Sequence, residues 1–548
     1  MEQKFKIIGL GGIDESGKNC YILETKDDII IFDAGSANFT DKTLGIDFIL
    51  PDYNYLIENK DKIRGVLISH GHIDQIGGLN KLLSILDINV YASGYTIKFL
   101  KNYIDKNKWD KLKEFKYNKK LKLGNLLVEN FSLSHAIFGN YGYLVANENN
   151  EAIVYVTDYN FNQSANLFAR TDIKKIVQLN NKYKIVGLLT ESISADKIGI
   201  AASDKKYIKE FERIIEEAQS RIIIGLYSSN LAGMTTIIEA AEKYNKKIVI
   251  IGRDLLKYVN IAREEGYLKI KKDIFLKVSD INKVKKEDLI VVVSGLYSSV
   301  YIDLLKMSTN QNEILQIEEN DTIIIAAKPY DEIESFAQNV LDKIARTNCK
   351  IKSLNLNVPS HAYQEDIKMM INLFDPQYVI PIKGEFRKLK QVKDLMVDIS
   401  RNVSDCLLIN SGDILAIYDE FALVEDEINL EENFSTSNNL LVDEKLMNER
   451  ESLANNGYVA VQMIYLKKQK KFSSKPIILS GGLSDFSDDE QVITKLEKIV
   501  NNEMNKNYDR KTLFNKIKNK ITRNLQNLIG KTPLVLVTII EINEERIN

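Results

Sequence analysis

The sequence has few cysteines, almost no net charge and no long apolar run, and the first and last of these features exclude classes of protein. Its three cysteines, Cys20, Cys349 and Cys406, are odd in number, far apart and never in a Cys-x-x-Cys pair. A disulfide framework and a cysteine-based zinc site are therefore excluded. No stretch approaches the roughly 20 apolar residues that span a bilayer, and the first residues, MEQKFKIIGLGG, lack the pattern of a signal peptide. We expect a cytoplasmic protein with no membrane partner.

The charge balance leaves the question of nucleic acid open. The chain carries 74 basic and 76 acidic residues, a net charge of −2, so it lacks the excess of positive charge that many nucleic-acid-binding proteins have. A neutral protein can still have a positive groove, so charge neither supports nor excludes RNA as a ligand. At 548 residues the chain is long enough for three or four domains.

The predicted pattern of strands and helices changes several times along the chain. Short β-rich runs separated by turns fill the first part, and an alternation of helices and buried strands follows, which predicts a parallel sheet. The strand-rich pattern of the first part then resumes, an acidic stretch comes next, and a small α+β unit closes the chain. The predicted parts are 1–204 and 356–420 as one domain, 205–355 as an inserted α/β domain, 421–450 as a linker, and 451–548 as a C-terminal α+β domain.

Histidine is scarce as well, and its placement is informative. The chain has four histidines, of which His70 and His72 share one turn, "VLISHGHIDQIGG", directly after an apolar strand. An isolated histidine is most often a hydrogen-bonded core or surface group, but two at this spacing can converge on one cation. His135 ends the run LLVENFSLS and Asp158 ends AIVYVT. Imidazole and carboxylate together suit zinc or manganese, so the sequence predicts one metal site.

Three motifs resemble those of a known family. "SHGHID" followed by a lone histidine and a strand-ending aspartate resembles the metallo-β-lactamase fold. "TESISADKIG" (190–199) and "VPSHAYQEDIKMMINLFDPQYVIPIKGEFR" (358–387) are similar to motifs of the β-CASP nucleases, and the nearest match is the bacterial ribonuclease J family. The resemblance implies an α/β fold: a metallo-β-lactamase αββα sandwich, an inserted β-CASP domain and a small α+β C-terminal domain.

The resemblance also implies a two-metal site that this chain does not complete. The ligands of the first metal correspond to His70, His72, His135 and Asp158. Those of the second correspond to Asp74, Asp158 and positions 75 and 383, where the family has histidine and this chain has Gln75 and Lys383. An amide oxygen is a weak ligand and a protonated lysine has no lone pair to offer. We therefore expect one divalent metal, zinc or manganese, and an empty second metal position, with the Lys383 ammonium beside Asp74 and Asp158.

The family pattern assigns further roles, and this chain departs from it in places. Asp74 would orient water, Glu191 stands in the acidic motif, and His361 would help to protonate the leaving oxygen. Residues expected to contact RNA or phosphate are Ser360, His361, Tyr363 and Lys328. Tyr363 stands where the family usually has serine, and "VSGLYSS" (293–299) and "AAKPYDE" (326–332) replace two of its conserved turns.

Two functions follow from this resemblance. The first is metal-dependent hydrolysis of RNA, as a 5′→3′ exonuclease, an endonuclease or both, attenuated by loss of the second metal. The second is a non-catalytic RNA-binding and assembly subunit. A small-molecule metallohydrolase is disfavoured because the chain is larger than such an enzyme needs. The loss of these family residues is similar to that in a second, catalytically degenerate branch of the family. This resemblance implies a more active paralogue or a second copy of the chain as partner.

Overall fold

The computed structural model describes most of the chain as two compact units. The described residues are 3–38, 44–162, 170–201, 205–270, 274–330, 333–354, 360–436, 441–473, 475–483 and 490–542. One unit comprises Met1–Asn38 and Ile49–Glu432, and the other comprises Phe39–Phe48 and Asn433–Asn548. Residues 202–204 and 355–359, where two domain boundaries were expected, lie outside the described ranges, so those boundaries stay predictions.

The N-terminal part of the first unit is rich in short strands. Its elements are β1 (Phe5–Gly11), β2 (Cys20–Glu24), β3 (Ile29–Phe32), β4 (Ala37–Asn38), β5 (Phe48–Leu50), α1 (Asn54–Glu58), β6 (Ile63–Leu67), α2 (Ile73–Ile76), α3 (Leu79–Ile85), β7 (Val90–Ala92), α4 (Gly94–Leu100), β8 (Leu112–Glu114), β9 (Lys120–Leu123), β10 (Leu126–Ser132), β11 (Tyr141–Ala146), β12 (Glu151–Val156), α5 (Ile173–Asn180) and β13 (Lys184–Glu191). Two short helices, α2 and α3, follow the HGH turn.

Helices and strands alternate in the next part of this unit. The elements are α6 (Lys205–Glu217), β14 (Ile222–Tyr227), α7 (Leu231–Lys243), β15 (Lys247–Ile251), α8 (Arg253–Glu264), β16 (Phe275–Leu276), β17 (Leu289–Gly295), α9 (Ser299–Ser308), β18 (Thr322–Ile325), α10 (Glu334–Ala345) and β19 (Lys350–Ser353). The unit closes with α11 (Gln364–Phe374), β20 (Tyr378–Ile382), α12 (Phe386–Asp398), β21 (Asp413–Ile417) and β22 (Ala422–Glu427).

Two sheets of the first unit pack face to face between two layers of helices. One has the strand order β22-β21-β1-β2-β3-β6-β7-β8 and the other β20-β13-β12-β11-β10-β9. Side chains such as Phe32 of the first sheet and Tyr143 of the second share one buried core. Helices α3 and α4 cover the outer face of the first sheet, and α5, α11 and α12 cover that of the second. This is the αββα sandwich that the sequence predicts.

The inserted α/β part has its own sheet of parallel strands. The order is β16-β15-β17-β14-β18-β19, and each described pair of neighbours is parallel. The strands read as continuous apolar runs because helices cover both faces of such a sheet. All their carboxyl ends therefore meet at one edge, where loops after neighbouring strands come together.

The acidic stretch expected to be a linker forms regular structure in part. Within 421–450, β22 pairs antiparallel with β21 as the edge strand of the eight-stranded sheet. The charged side chains of an edge strand point to solvent while its backbone groups pair, so acidity does not prevent strand formation. The same range contributes to the second unit, whose elements are β23 (Asn433–Ser435), β24 (Leu441–Val442), α13 (Glu444–Asn456), β25 (Tyr458–Leu466), β26 (Lys471–Phe472), β27 (Ile477–Gly481), α14 (Glu490–Met504), α15 (Arg510–Ile529) and β28 (Leu534–Ile542).

The second unit is an α+β structure by itself. Strand β25 lies between β27, which is antiparallel to it, and β28, which is parallel. Helices α14 and α15 cover one face of this sheet through side chains such as Val500, Ile517 and Ile521. Across both units, no described helix has the length and apolar character needed to cross a membrane.

Candidate metal centre and its cationic neighbour

Three adjacent parallel strands bring distant residues to one edge of the second sheet. Strand β13 pairs parallel with both β12 and β20, so the carboxyl ends of all three strands lie side by side. Asp158 follows β12, Glu191 ends β13 and Lys383 follows β20. Their closeness is thus a consequence of strand order and direction.

The turn after β6 supplies two of the four histidines. His70 follows the strand, and His72 stands immediately before α2. The intervening Gly71 has no room for a side chain, because a Cβ there would lie 2.8 Å from a ring carbon of Phe99. The tight packing of this turn holds the two imidazoles in place.

Three imidazoles and one carboxylate converge on one point. Nδ1 of His72 lies 3.1 Å from Nε2 of His70 and 3.0 Å from Nε2 of His135. Oδ2 of Asp158 lies 3.0 Å from Nε2 of His70 and 3.6 Å from Nε2 of His135. The four ligand atoms all lie within 4.8 Å of one another.

In His135 and His70, a hydrogen bond to one ring nitrogen determines that the other ring nitrogen directs its lone pair toward this point. Nδ1 of His135 lies 2.7 Å from the carbonyl oxygen of Ser360, which can only accept, so Nδ1 carries the proton. The Ser69 hydroxyl donates to Asp33 at 2.8 Å and therefore accepts from Nδ1 of His70 at 3.0 Å. In both rings Nε2 is left as an acceptor directed inward.

This donor set fits a divalent cation. Burial lowers the pKa of His72 to about 3 and that of His135 well below its usual value, so both rings are neutral. Inward lone pairs and a carboxylate at such short separations repel one another, and a cation between them gives each a partner. Nε2 of His72, which faces away, has no hydrogen-bond partner among the described residues. Nitrogen and oxygen ligands of this kind suit zinc or manganese.

Lys383 lies beside this cluster and is completely buried. Its Nζ is 2.9 Å from Oδ2 of Asp74 and makes a bidentate contact with the carboxylate of Asp158. Gln75, with its amide oxygen directed toward this group, accepts from Nζ at 2.6 Å. Burial disfavours the charge, but Asp158 and Asp74 raise the pKa of Lys383 above its usual value. The lysine is therefore a permanent ammonium ion.

The backbone around Lys383 is unusual and firmly held. Its φ of 56° lies in the left-handed region that few non-glycine residues adopt. The Lys383 amide donates to the carbonyl of Gly12 at 2.6 Å. Asn19 holds the other side of the contact, since its side-chain amide donates to the backbone carbonyl of Asp74 at 2.8 Å. These bonds fix the direction in which the ammonium points.

His361 forms a second polar cluster that shares Asp158 with the first. Its Nδ1 lies 2.7 Å from Oε2 of Glu191 and 3.1 Å from Oδ1 of Asp158. The other oxygen of Glu191 accepts from the backbone amides of Tyr159 at 2.8 Å and Ala362 at 3.1 Å. Burial opposes the charge of the imidazolium, yet the two carboxylates raise the pKa of His361 to about 10. A protonated imidazole, 26% of whose side chain is exposed, therefore stands beside the metal cluster.

The residues expected to contact RNA occupy three separate places. Ser360 belongs to the cluster through its carbonyl group. Tyr363 caps α11, with Lys197 Nζ 5.1 Å from the centre of its ring. Lys328 stands in the loop after β18, in the sheet of the inserted part, with an exposed side chain. The strand order thus brings together the metal and acidic residues, whereas Lys328 lies in another layer.

Four family models match successive parts of the chain. They are the metallo-β-lactamase superfamily (13–134), the ribonuclease J β-CASP domain (219–344), the Zn-dependent metallo-hydrolase RNA specificity domain (346–403) and the ribonuclease J C-terminal domain (445–542). The chain belongs to the ribonuclease J family. The predicted fold class, a metallo-β-lactamase sandwich with a β-CASP insertion and a C-terminal α+β domain, is confirmed.

Full-length relatives in the ribonuclease J family support the same conclusion. The chain is 27% identical to Ribonuclease J2 of Bacillus subtilis (strain 168), over 98% of this chain and 99% of that protein. It is 27% identical to Ribonuclease J 2 of Staphylococcus aureus (strain NCTC 8325 / PS 47), over 98% of both chains. A crystal structure of a protein of unknown function from Enterococcus faecalis V583 shares the fold, with a TM-score of 0.54 and 16% identity over 76% of this chain and 100% of that one.

Several residues that hold the site were not found from the sequence. Ser69 and Tyr155 both bond to the buried carboxylate of Asp33, and Asn19 bonds to Asp74. Asp33 ends a strand, which is a weak signal, and Ser69 stands next to a predicted ligand. Asn19 could not be identified from the sequence, because an asparagine in a turn is ordinary and its partner Asp74 is 55 residues away.

Proposed function

We propose that this chain hydrolyses phosphodiester bonds of RNA with one divalent metal, zinc or manganese, at a lower rate than a two-metal site supports. The single observation that carries the proposal is the ammonium of Lys383 among Asp74, Gln75 and Asp158. In the family these positions hold the second metal. A fixed cation replaces part of that metal's charge but supplies none of its Lewis acidity.

The proposed metal ligands are His70, His72, His135 and Asp158. When bound there, a divalent cation promotes deprotonation of the attacking water and offsets negative charge on the phosphate. A second metal would offset more of the negative charge on the phosphate. We propose that the second metal position holds no metal, because the Lys383 ammonium already neutralises the carboxylates that would bind it.

The remaining residues have roles set by their protonation and exposure. The His361 imidazolium is a proton donor for the leaving oxygen, and Glu191 positions it through the 2.7 Å contact with Nδ1. Asp74 keeps 33% of its side chain exposed, so it can accept a hydrogen bond from the attacking water. Ser360, Tyr363 and Lys328 contribute to binding the RNA chain. Attack by exonucleolysis from the 5′ end, by endonucleolysis or by both is compatible with these roles.

The same observation also favours a second function. With Lys383 in place of a metal ligand, the chain would act as a non-catalytic RNA-binding and assembly subunit, in the cytoplasm. Its partner would be a more active ribonuclease J paralogue, or a second copy of the chain. The relatives named Ribonuclease J2 are consistent with either function.

Hydrolysis of a short 5′-monophosphorylated single-stranded RNA by the purified, chelated chain tests the proposal. Adding Mn²⁺ or Zn²⁺ should give slow cleavage, which His72→Ala abolishes and the exposed Ser84→Ala leaves unchanged. His361→Gln should slow cleavage without changing the amount of bound metal. Cleavage that persists in His72→Ala would show the proposal to be wrong, and RNA binding without any cleavage would establish the assembly function instead.

A further inference from the structure

Three tyrosines form a cluster at the carboxyl edge of the inserted parallel sheet. Tyr227 ends β14, Tyr297 follows β17 and Tyr330 follows β18, and these three strands are neighbours. The rings of Tyr297 and Tyr330 are stacked, with centroids 5.3 Å apart and planes 24° apart. The Tyr227 ring lies 5.4 Å from that of Tyr330. We call this group the tyrosine cluster.

Hydrogen bonds from two tyrosine hydroxyls and from backbone amides fix the loop that carries Tyr330. The Tyr227 hydroxyl donates to the carbonyl of Lys328 at 2.7 Å, and the Tyr301 hydroxyl donates to the carbonyl of Ala327. The amides of Ala326 and Ala327 both donate to the carbonyl of Gly225 at 2.9 Å. The loop that carries Tyr330 is therefore fixed before any ligand arrives, which lowers the entropic cost of binding.

Tyr330 combines this rigid support with exposure. Half of its surface, 50%, is accessible to solvent, while Tyr227 beneath it is buried. A large aromatic ring that is held in place and left exposed offers a stacking surface for another flat group. In the loop 326–330, Lys328 has the one charged side chain, which suits a phosphate of the same strand, whereas the Tyr330 ring suits a base.

The segment that follows Tyr227 is joined by hydrogen bonds to the turn that carries a proposed metal ligand. Four residues after Tyr227, the amides of Leu231 and Ala232 donate to the carbonyl of Ala136 at 3.0 and 3.1 Å. Ala136 directly follows His135, a proposed metal ligand. The carboxyl edge that carries the cluster is thus joined to the turn that carries the metal ligand.

We infer that the tyrosine cluster is a binding site for an unpaired RNA base, with Tyr330 stacking on the base of a strand held at the metal centre. The inference rests on the proposed function in that its ligand is RNA. Stacking on an aromatic side chain is tolerant of base identity, since every base has a π face. The cluster would therefore bind single-stranded RNA of any sequence and would not bind a paired end.

Binding of a short single-stranded RNA with a 3′ fluorophore, measured by anisotropy in EDTA, tests this inference without hydrolysis. Tyr330→Ala should weaken binding by about 5- to 150-fold, the range expected for loss of one stacked base. Tyr330→Phe keeps the ring and should bind like the wild type, whereas Tyr330→Leu keeps apolar packing but loses the planar surface and should behave like Tyr330→Ala. Phe421→Ala is the matched control, because Phe421 is 38% exposed and stacks on Tyr418 between β21 and β22 of the first unit.

An RNA that lacks bases near its 5′ end separates stacking from a purely structural role. The loss caused by Tyr330→Ala should disappear on this abasic RNA if the ring stacks on a base. Wild-type affinity in Tyr330→Leu, or an equal loss on both RNAs, would overturn the inference and leave the proposed hydrolysis untouched. Conversely, Tyr330-dependent binding in a chain that cleaves no RNA would support the inference while overturning the proposed hydrolysis.

Discussion

The ammonium of Lys383 lies 2.9 Å from Oδ2 of Asp74, although Asp74 lies in α2, after a strand of the first sheet, and Lys383 follows a strand of the second. The same ammonium contacts both oxygens of Asp158, a proposed ligand of the metal. A positive charge is thus built into the protein at the position that the family resemblance assigns to a second metal. We expect the balance between this charge and the two carboxylates to affect both the stability and the chemistry of the site.

Removing the ammonium should destabilise the metal-free protein. Lys383→Met removes the ammonium shared by the buried Asp158 and the one-third-exposed Asp74, and leaves Asp158 with the His361 imidazolium alone. Breaking a buried ion pair in this way costs about 3–5 kcal/mol. The free energy of unfolding in urea, measured in EDTA, checks this expectation. Lys388→Met is the matched control: its partner Asp196 is half exposed, so the loss there should stay within about 1 kcal/mol. Equal losses in the two variants would contradict the buried pair's importance.

The hydroxyl of Ser69 should contribute to metal affinity without touching the metal. Ser69→Ala removes the acceptor that keeps the proton on Nδ1 of His70, and the loss of such an outer partner weakens metal binding by about 10- to 100-fold. Competition with a chromogenic chelator measures the affinity. Ser84→Ala, which changes an exposed hydroxyl bonded to Lys81, should have no effect. An unchanged affinity in Ser69→Ala would show that the tautomer of His70 is set in another way.

Glu129 should make part of the stability dependent on pH. Burial opposes its ionisation, but hydrogen bonds from Lys182, Tyr183 and Lys175 lower the pKa of Glu129 to about 2. Its stabilising contribution is therefore complete above the unfolded pKa of about 4.3 and is lost as the pH falls toward 2. Glu129→Gln should lower the free energy of unfolding at pH 6 and flatten its decline between pH 5 and 3. The exposed Glu58→Gln should leave the curve as it is, and a parallel curve for Glu129→Gln would contradict the prediction.

The sequence predicts the site's members better than their contacts. Apolar strands ending in His70 or Asp158 could be read from the sequence, because the residue pattern of a buried strand and its polar end is local. The bonds from Asn19 to Asp74 and from Ser69 to Asp33 could not, since they join turns that come together only when β2, β3 and β6 pair as neighbouring strands of one sheet. Lys383 was interpretable only through the family pattern, in which histidine occupies its position.

Local composition predicted a linker in 421–450, a range that contains regular structure. The acidic residues of 421–450 are typical of a linker, yet β22 gains backbone hydrogen bonds from β21 that no local pattern records. Helix α15 is separated from α14 by a short stretch that ends at Asp509, whose side chain accepts a hydrogen bond from the amide of Thr512 and caps α15. A single capping residue inside an amphipathic stretch is easily overlooked.

The number of divalent metal ions bound per chain tests the central claim most directly. Mass spectrometry under native conditions, after loading with Zn²⁺ or Mn²⁺ and removal of excess metal, compares the wild type with the double variant Gln75→His/Lys383→His. The wild type should bind about one metal, because the Lys383 ammonium holds the second position, and the double variant should bind about two and cleave RNA faster. Two metals bound to the wild type, or none, would contradict the account.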